Sequence, residues 1–365
     1  MGSKQTWAYE PDYAIPPGET LEETLEAMGM TQRELAERTG RPTQIINGII
    51  KGKHAITPET ALLFERVLGI PANFWINLES QYQESRLRTQ ESKAFDQHTD
   101  WVHSFNYSEL VRKNLVPAAT TIGDKARNLM QFFGVGSPEQ HACHYQELAV
   151  SFRKSEGLSC QTAALTAWLR AGEIAAAKIS TEPYDRDAFL KVLEGIRPLT
   201  AQAPKDFIAE VKSRCAKVGV AVVWIPELDG CPVSGATRWL RPDRALIQLS
   251  LRFKSDDQVW FSFYHEAGHI ALHGKREAFL DNGIPDCEKE RDADHFARDI
   301  LISPKSWESF VAQRAFSKEA IQTFAQSQNI APSIVAGRLG HEKLLPWPAV
   351  NAMRLRVKFV WGSRT

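Results

Sequence analysis

Long apolar runs are missing from this chain of 365 residues. No stretch approaches the ~18 consecutive apolar residues of a membrane-spanning helix, and Met1–Pro17 has no secretory apolar core. Neither a membrane role nor export is expected. Cysteine is scarce and scattered: Cys143, Cys160, Cys215, Cys231 and Cys287 are odd in number and never form a CxxC pair. That argues against a disulfide framework and an all-cysteine zinc site, and suits a reducing cytoplasm. Net charge is absent too, 44 Lys and Arg facing 44 Asp and Glu. A wholly basic nucleic-acid coat protein is excluded, while a local basic patch is not. Internal repeats and low-complexity tracts are also lacking. What is present is globular composition, 43% hydrophobic and 24% charged, with length for two or three domains.

Composition divides the chain into four zones. Residues 1–83 read as short helices broken by Gly and Pro. Residues 84–205 read as a helical middle region, with turn signals only around Gly134–Pro138 and Thr181–Tyr184. Residues 206–304 begin with two β-branched runs, Val218–Ile225 (VGVAVVWI) and Arg244–Leu251 (RALIQLSL), followed by two helical patterns. Residues 305–365 hold one more helical stretch, Lys318 to about Leu339, then a Pro/Trp segment. The expectation is a mainly α protein with an α+β part carrying a small antiparallel sheet.

Thr31-Gln-Arg-Glu-Leu-Ala-Glu-Arg-Thr39 reads as a short helix, with Thr31 at the N-cap and Glu34 in the capping-box place. Leu35 and Ala36 supply apolar contacts. Gly40-Arg41-Pro42 breaks the chain, and Thr43–Ile50 forms a second helix with Ile46, Ile49 and Ile50 at helical spacing. Two short helices on a tight Gly turn make a helix-turn-helix, whose second helix enters the major groove by its start. The polar residues there are Thr43, Gln44 and Asn47, and Gln or Asn amides can pair with an adenine edge. Gln32, Arg41, Lys51 and Lys53 are candidate phosphate contacts, which position without reading sequence. Between 30 and 54, Arg33, Arg38, Arg41, Lys51 and Lys53 outnumber Glu34 and Glu37, although the first 83 residues are acidic overall. Such a polarised patch implies weak binding by one copy and a dimer to read two half-sites.

From Pro17-Gly18 through TQRELAERTGRPTQIINGIIKGKHAITPETALLFERVLGIPANFWINLESQY to Tyr82, the chain resembles the HigA-type antitoxin branch of the Cro/repressor-like helix-turn-helix family. The resemblance implies a five-helix domain that dimerises on palindromic operator DNA. A helical protein-interaction module without a DNA role is the alternative for the same residues.

Ser255-Asp-Asp-Gln258 reads as a capping-box start, after which Trp260, Phe263, Ala267, Ile270 and Ala271 recur at helical spacing. Within that helix lies His265-Glu266-Ala267-Gly268-His269. The two histidines stand one turn apart on one face, so both can reach a single metal ion. Zinc lowers the pKa of a bound water toward ~7, and a carboxylate such as Glu266 beside it can take the proton. The plainer alternative is two satisfied histidines on a buried helix. The longer signature HExxHxxGxxH fails, because Leu272 and Lys275 occupy its Gly and His places. His273 continues the series but lies about 12 Å along the axis from His265, and reads as a neighbour.

A third ligand must then come from the next helix. Glu288–Ile302 carries an apolar stripe of Ala293, Phe296, Ala297, Ile300 and Leu301. At about 100° per residue, Glu290 and Asp294 fall on its edge, Asp292 lies beyond the opposite edge, and Glu288 points away. Glu290 is the expected third ligand, and Asp294 can fix a ligand histidine's tautomer by accepting a hydrogen bond. The alternative is an acidic turn that complements a helix N-terminus.

HEAGHIALH, with ERDADHFARDILISP from Glu290 to Pro304, resembles the ImmA/IrrE family of metallopeptidases. GVAVVWIPEL, PVSGATRWL, IQLSLR and NIAPSIVAGRLGHE fit it as well, extending the match over about residues 206–342. The resemblance implies a compact zincin-like (gluzincin-like) fold holding Zn2+, with ligands His265, His269 and Glu290, general base Glu266, and endopeptidase activity on repressor-type regulators. Asp292 stands where Glu is usual, and Asp294 where Asn is common. The expected reaction is peptide-bond hydrolysis, with the substrate protein held as an extended strand against the sheet edge. Tyr264, Arg338 and His341 are oxyanion candidates by polarity alone. The expected whole is a DNA-binding transcriptional regulator fused to a zinc endopeptidase that cleaves a repressor- or antitoxin-like partner. The alternative is a HigA-like antitoxin or repressor whose zincin-like part binds a partner without cutting it. Glu266 favours the first, since a structural zinc site has no use for it.

Overall fold

The computed structural model describes residues 15–146, 161–202, 204–250, 255–273, 287–355 and 357. The chain divides into two units, residues 1–99 with 120–127, and residues 100–119 with 128–365.

The first unit opens with α1 (Pro17–Ala27), α2 (Gln32–Thr39), α3 (Thr43–Ile50), α4 (Pro58–Leu68) and α5 (Ala72–Phe95). Thr31 Oγ1 accepts the Glu34 amide at 3.1 Å and starts α2. The capping box is only half formed, because the Glu34 carboxylate turns to Arg38 one turn on. Gly40, at φ 63°, ends α2 in the left-handed region that side-chain-bearing residues avoid. Leu21, Leu35, Ile46, Ile49, Phe64 and Trp75 form the core of this unit. The helix α5 runs straight through residue 83, where the composition had suggested a boundary.

Among the described residues of the second unit, three strands lie in the order β1-β3-β2: β1 (Val220–Trp224), β2 (Gly235–Arg241) and β3 (Arg244–Leu249). The pair β2–β3 is antiparallel and β1–β3 is parallel, from Val220↔Ala245 to Trp224↔Leu249. The expected antiparallel sheet is therefore corrected to a mixed one. The physical reason is that the chain leaving β1 skips a place before forming β2, so β3 returns beside β1 in the same direction. β1 is buried along its whole length, as befits a strand covered on both faces. Helices Thr162–Ala177 and Pro204–Ala216 pack on it, and helix Asp256–Leu272 packs on β2 and β3.

One core joins Phe189, Val222, Ile247, Phe263, Leu301, Phe310, Ile334 and Val357. The stretch expected as one helix from Lys318 is two, Lys318–Ser327 and Pro332–His341. Asn329, at φ 53°, and Pro332, which cannot donate an interior helix bond, separate them. Ser255 does not cap its helix; its hydroxyl donates to Gln258 Oε1 at 2.6 Å. Cys231 is disulfide-bonded, whereas Cys143 and Cys215 are free thiols. Cys160, Leu251 and Lys275 lie outside the described residues. Among those described, no helix is long and apolar enough to cross a membrane.

Candidate functional site

Helix Asp256–Leu272 carries His265, Glu266 and His269, and helix Cys287–Leu301 carries Glu290 and Asp294. The two helices pack against each other where Gly268 faces the second one. A Cβ on Gly268 would stand 3.1 Å from Phe296 and 3.2 Å from the Ala293 Cα. This close crossing is what carries Glu290 to the histidines.

Three donor atoms converge. His265 Nε2 and His269 Nε2 are 3.1 Å apart, and Glu290 Oε2 lies 3.2 Å from the first and 3.6 Å from the second. Ligand atoms on a tetrahedral zinc with bonds of ~2.0–2.1 Å stand ~3.3–3.4 Å apart. The triangle therefore has the size, and the two-nitrogen, one-carboxylate chemistry, of a three-ligand centre. Behind it, Asp294 Oδ1 lies 2.9 Å from His265 Nδ1. His273 Nδ1 lies 3.1 Å from His269 Nδ1.

The electrostatics of the cluster favour a cation. Burial works to lower the His265 pKa, but hydrogen bonds to Asp294 and Glu290, with the charge of Glu266, push it up to about 10. Burial works to raise Glu290, but His265 and His269 hold it down to about 2. A proton on His265 thus does what a metal ion would do, balancing the carboxylates around it. Glu266 is 3% exposed, and burial raises its pKa against the pull of both histidines.

Glu266 sits beneath β2. Thr237 Oγ1 donates to Glu266 Oε2 at 2.6 Å and lies 3.1 Å from the Glu266 carbonyl oxygen. A Cβ on Gly235 would come within 2.5 Å of Glu266 Oε1, so the strand must be bare there. Sequence reasoning assigned no role to Gly235, Thr237 or the His273 contact. The Gly-Ala-Thr run entering β2 was a usable signal, since glycine in a strand marks close approach by another group. The three oxyanion candidates lie elsewhere. Tyr264 is buried and donates to the Leu193 carbonyl at 3.0 Å. Arg338 lies over the Trp307 ring and binds Glu342, and His341 packs on Trp347.

The first unit presents a different surface. Thr43 and Gln44 stand exposed at the first turn of α3, which starts on Pro42 without a side-chain cap. Asn47, one turn on, donates through Nδ2 to Gln32 Oε1 at 3.1 Å. Lys51 and Lys53 are exposed beyond the helix. Arg41 forms an ion pair with the exposed Glu59 at 2.9 Å.

Residues 21–75 match the Helix-turn-helix family. This segment is a helix-turn-helix domain. The chain is similar to virulence-associated protein I of Dichelobacter nodosus, 39% identical over 70 residues, covering 19% of this chain and 65% of that protein. It is also similar to the uncharacterized HTH-type transcriptional regulator YddM of Escherichia coli (strain K12), 29% identical over 66 residues, 18% of this chain and 70% of that one. Among solved structures it is similar to an addiction module antidote protein of a HigA family from Coxiella burnetii, 30% identical, covering 23% of this chain and 92% of that one at a TM-score of 0.22. The helix-turn-helix domain thus rests on sequence likeness and on its own helices. The His/Glu cluster rests on its geometry alone.

Proposed function

We propose that this protein is a cytoplasmic, dimeric helix-turn-helix regulator whose second unit is a zinc-dependent endopeptidase that cleaves a repressor- or antitoxin-like partner. The regulator half is supported by the family match and by the likeness to a relative described as an uncharacterized HTH-type transcriptional regulator. Its own residues fit operator DNA. The uncapped start of α3 leaves backbone N–H groups free for a phosphate, and Thr43, Gln44 and Asn47 line the approach to base edges.

The observation that carries the peptidase half is the triangle of His265, His269 and Glu290, set beside a buried Glu266. These residues would hold zinc, which when bound supplies Lewis acidity toward a peptide carbonyl and toward water. Glu266 takes the proton as general base at its carboxylate, then delivers it to the leaving amine. Thr237 serves both states: its hydroxyl can donate to the ionised Oε2, or donate to the Glu266 carbonyl oxygen while its own oxygen accepts from a protonated Oε2–H. Among the described residues β2 lies at one edge of the sheet, where an extended substrate can add main-chain hydrogen bonds.

The test is zinc analysis of the purified protein, joined to incubation with proteins encoded beside it. Glu266→Gln should keep zinc and fold yet cut nothing; cleavage surviving there removes Glu266 as base. His265→Ala should hold no zinc, and a stoichiometric ion in it refutes the ligand set. Wild-type protein that holds zinc and binds a neighbouring protein without cutting it would establish the partner-binding reading instead.

A further inference from the structure

His273 is one turn beyond the HExxH motif, where the helix has just ended. Its own backbone is extended (φ −99°, ψ 145°), while its N–H still bonds the His269 carbonyl at 3.2 Å. That geometry swings its ring beside His269, with centroids 5.2 Å apart and the two Nδ1 atoms 3.1 Å apart. A contact between two imidazole Nδ1 atoms needs one proton, and only one. His269 Nε2 faces His265 Nε2 and Glu290 Oε2, so its lone pair belongs to the centre. The shared proton must then be on His269 Nδ1, and His273 Nδ1 must accept it.

We infer that His273 is the positioning residue for the ligand His269, fixing its tautomer and ring angle by accepting the Nδ1–H, as Asp294 does for His265. The inference rests on the metal-centre reading above and extends it to a residue outside the ligand set. It gives the two ligand histidines unlike supports: a carboxylate from the facing helix for one, and a neutral imidazole from its own helix end for the other. His273 also lines a cavity of about 630 Å³ together with Leu190, Leu272 and Phe296. A group seated in that cavity would touch the support of the centre without touching its ligands.

The experiment compares zinc affinity, by chelator competition, in the full-length wild type, His273→Phe and His273→Asn. Loss of such a supporting partner typically weakens metal binding by about 10–100-fold, and this is expected for Phe, which keeps the ring but not the acceptor. Asn, whose carbonyl can accept the same proton, should recover most of the loss. In parallel, nitrogen NMR of the unaltered zinc-loaded protein should find His273 protonated at Nε2. Wild-type affinity in His273→Phe, or a proton on His273 Nδ1, overturns the inference while leaving the metal centre in place. Wild-type protein that takes up no zinc removes both.

Discussion

A single hydroxyl donates to the buried carboxylate proposed as the general base. Thr237 reaches Glu266 from a strand, and at 3% exposure Glu266 has little water to replace it. Thr237→Val keeps the side chain's shape and removes the donor. A hydrogen bond to a charged group contributes ~1.5–3 kcal/mol, so kcat should fall by roughly 10–100-fold with KM and zinc content nearly unchanged. An unaltered kcat would show that Thr237 only fills space. A second buried residue, His141, makes a prediction about stability. Its ring is enclosed by Trp101, Phe105, Phe133 and Tyr145, and burial, with His144 nearby, lowers its pKa from 6.5 to about 4. Between those values the unfolded chain takes up a proton that the folded one refuses. Stability is therefore full above pH 6.5 and declines as pH falls to about 4, by on the order of 3 kcal/mol from this group. His141→Phe should flatten that slope in denaturant titrations across this range; an identical slope would assign the acid sensitivity elsewhere.

Elements differ in how much of themselves they disclose. The recognition helix α3 was legible because three isoleucines at helical spacing and a Gly-Arg-Pro break are local facts. Its chemistry was legible only in part. Asn47 is not a free reader but is held by Gln32, and Arg41 is engaged by Glu59, both contacts across a turn or between helices that spacing cannot register. Asn47→Ala should still weaken specific operator binding by about 1–3 kcal/mol if the amide reads a base edge, checked by footprinting against a scrambled site; an unchanged ratio would leave Asn47 as a brace for Gln32. The HExxH helix was legible for the same local reason, and Glu290 and Asp294 followed from helical phase. β2 was not read as a strand, because Gly235-Ala-Thr-Arg-Trp-Leu-Arg241 lacks a β-branched run. Its Thr237 and Gly235 face the HExxH helix, and its Arg238 is neutralised from the other side by Glu173 at 2.7 Å. Polar residues satisfied by distant partners hide a strand from any pattern based on alternation.

At the scale of the whole molecule, the zones of composition and the units of packing do not coincide. The tail after residue 304 reads as an extension, yet its helices are part of the core on which the candidate centre stands. Trp307, Phe310, Ile321, Ile330, Ile334, Val335 and Leu339 are all buried in the same cluster as Phe263 and Tyr264 of the HExxH helix. The tail also grips that helix at its start. Ser333 Oγ donates to Asp256 Oδ2 at 2.5 Å, the Leu355 amide donates to Asp256 Oδ1 at 2.9 Å, and Arg354 binds Asp257 Oδ2 at 2.7 Å. Seven large side chains at ~1.5 kcal/mol or more each contribute on the order of 10 kcal/mol, comparable to the ~5–15 kcal/mol that holds a domain folded. A chain ended at residue 304 should therefore lose the cooperative unfolding transition of the second unit, and with it zinc uptake. The helix-turn-helix domain has a core of its own, so it should keep helical circular dichroism and its melting. If the shortened chain instead retained both a second transition and the metal, the centre would be supported by residues 100–119 and 128–304 alone, and the tail would be the appendage that its sequence suggests.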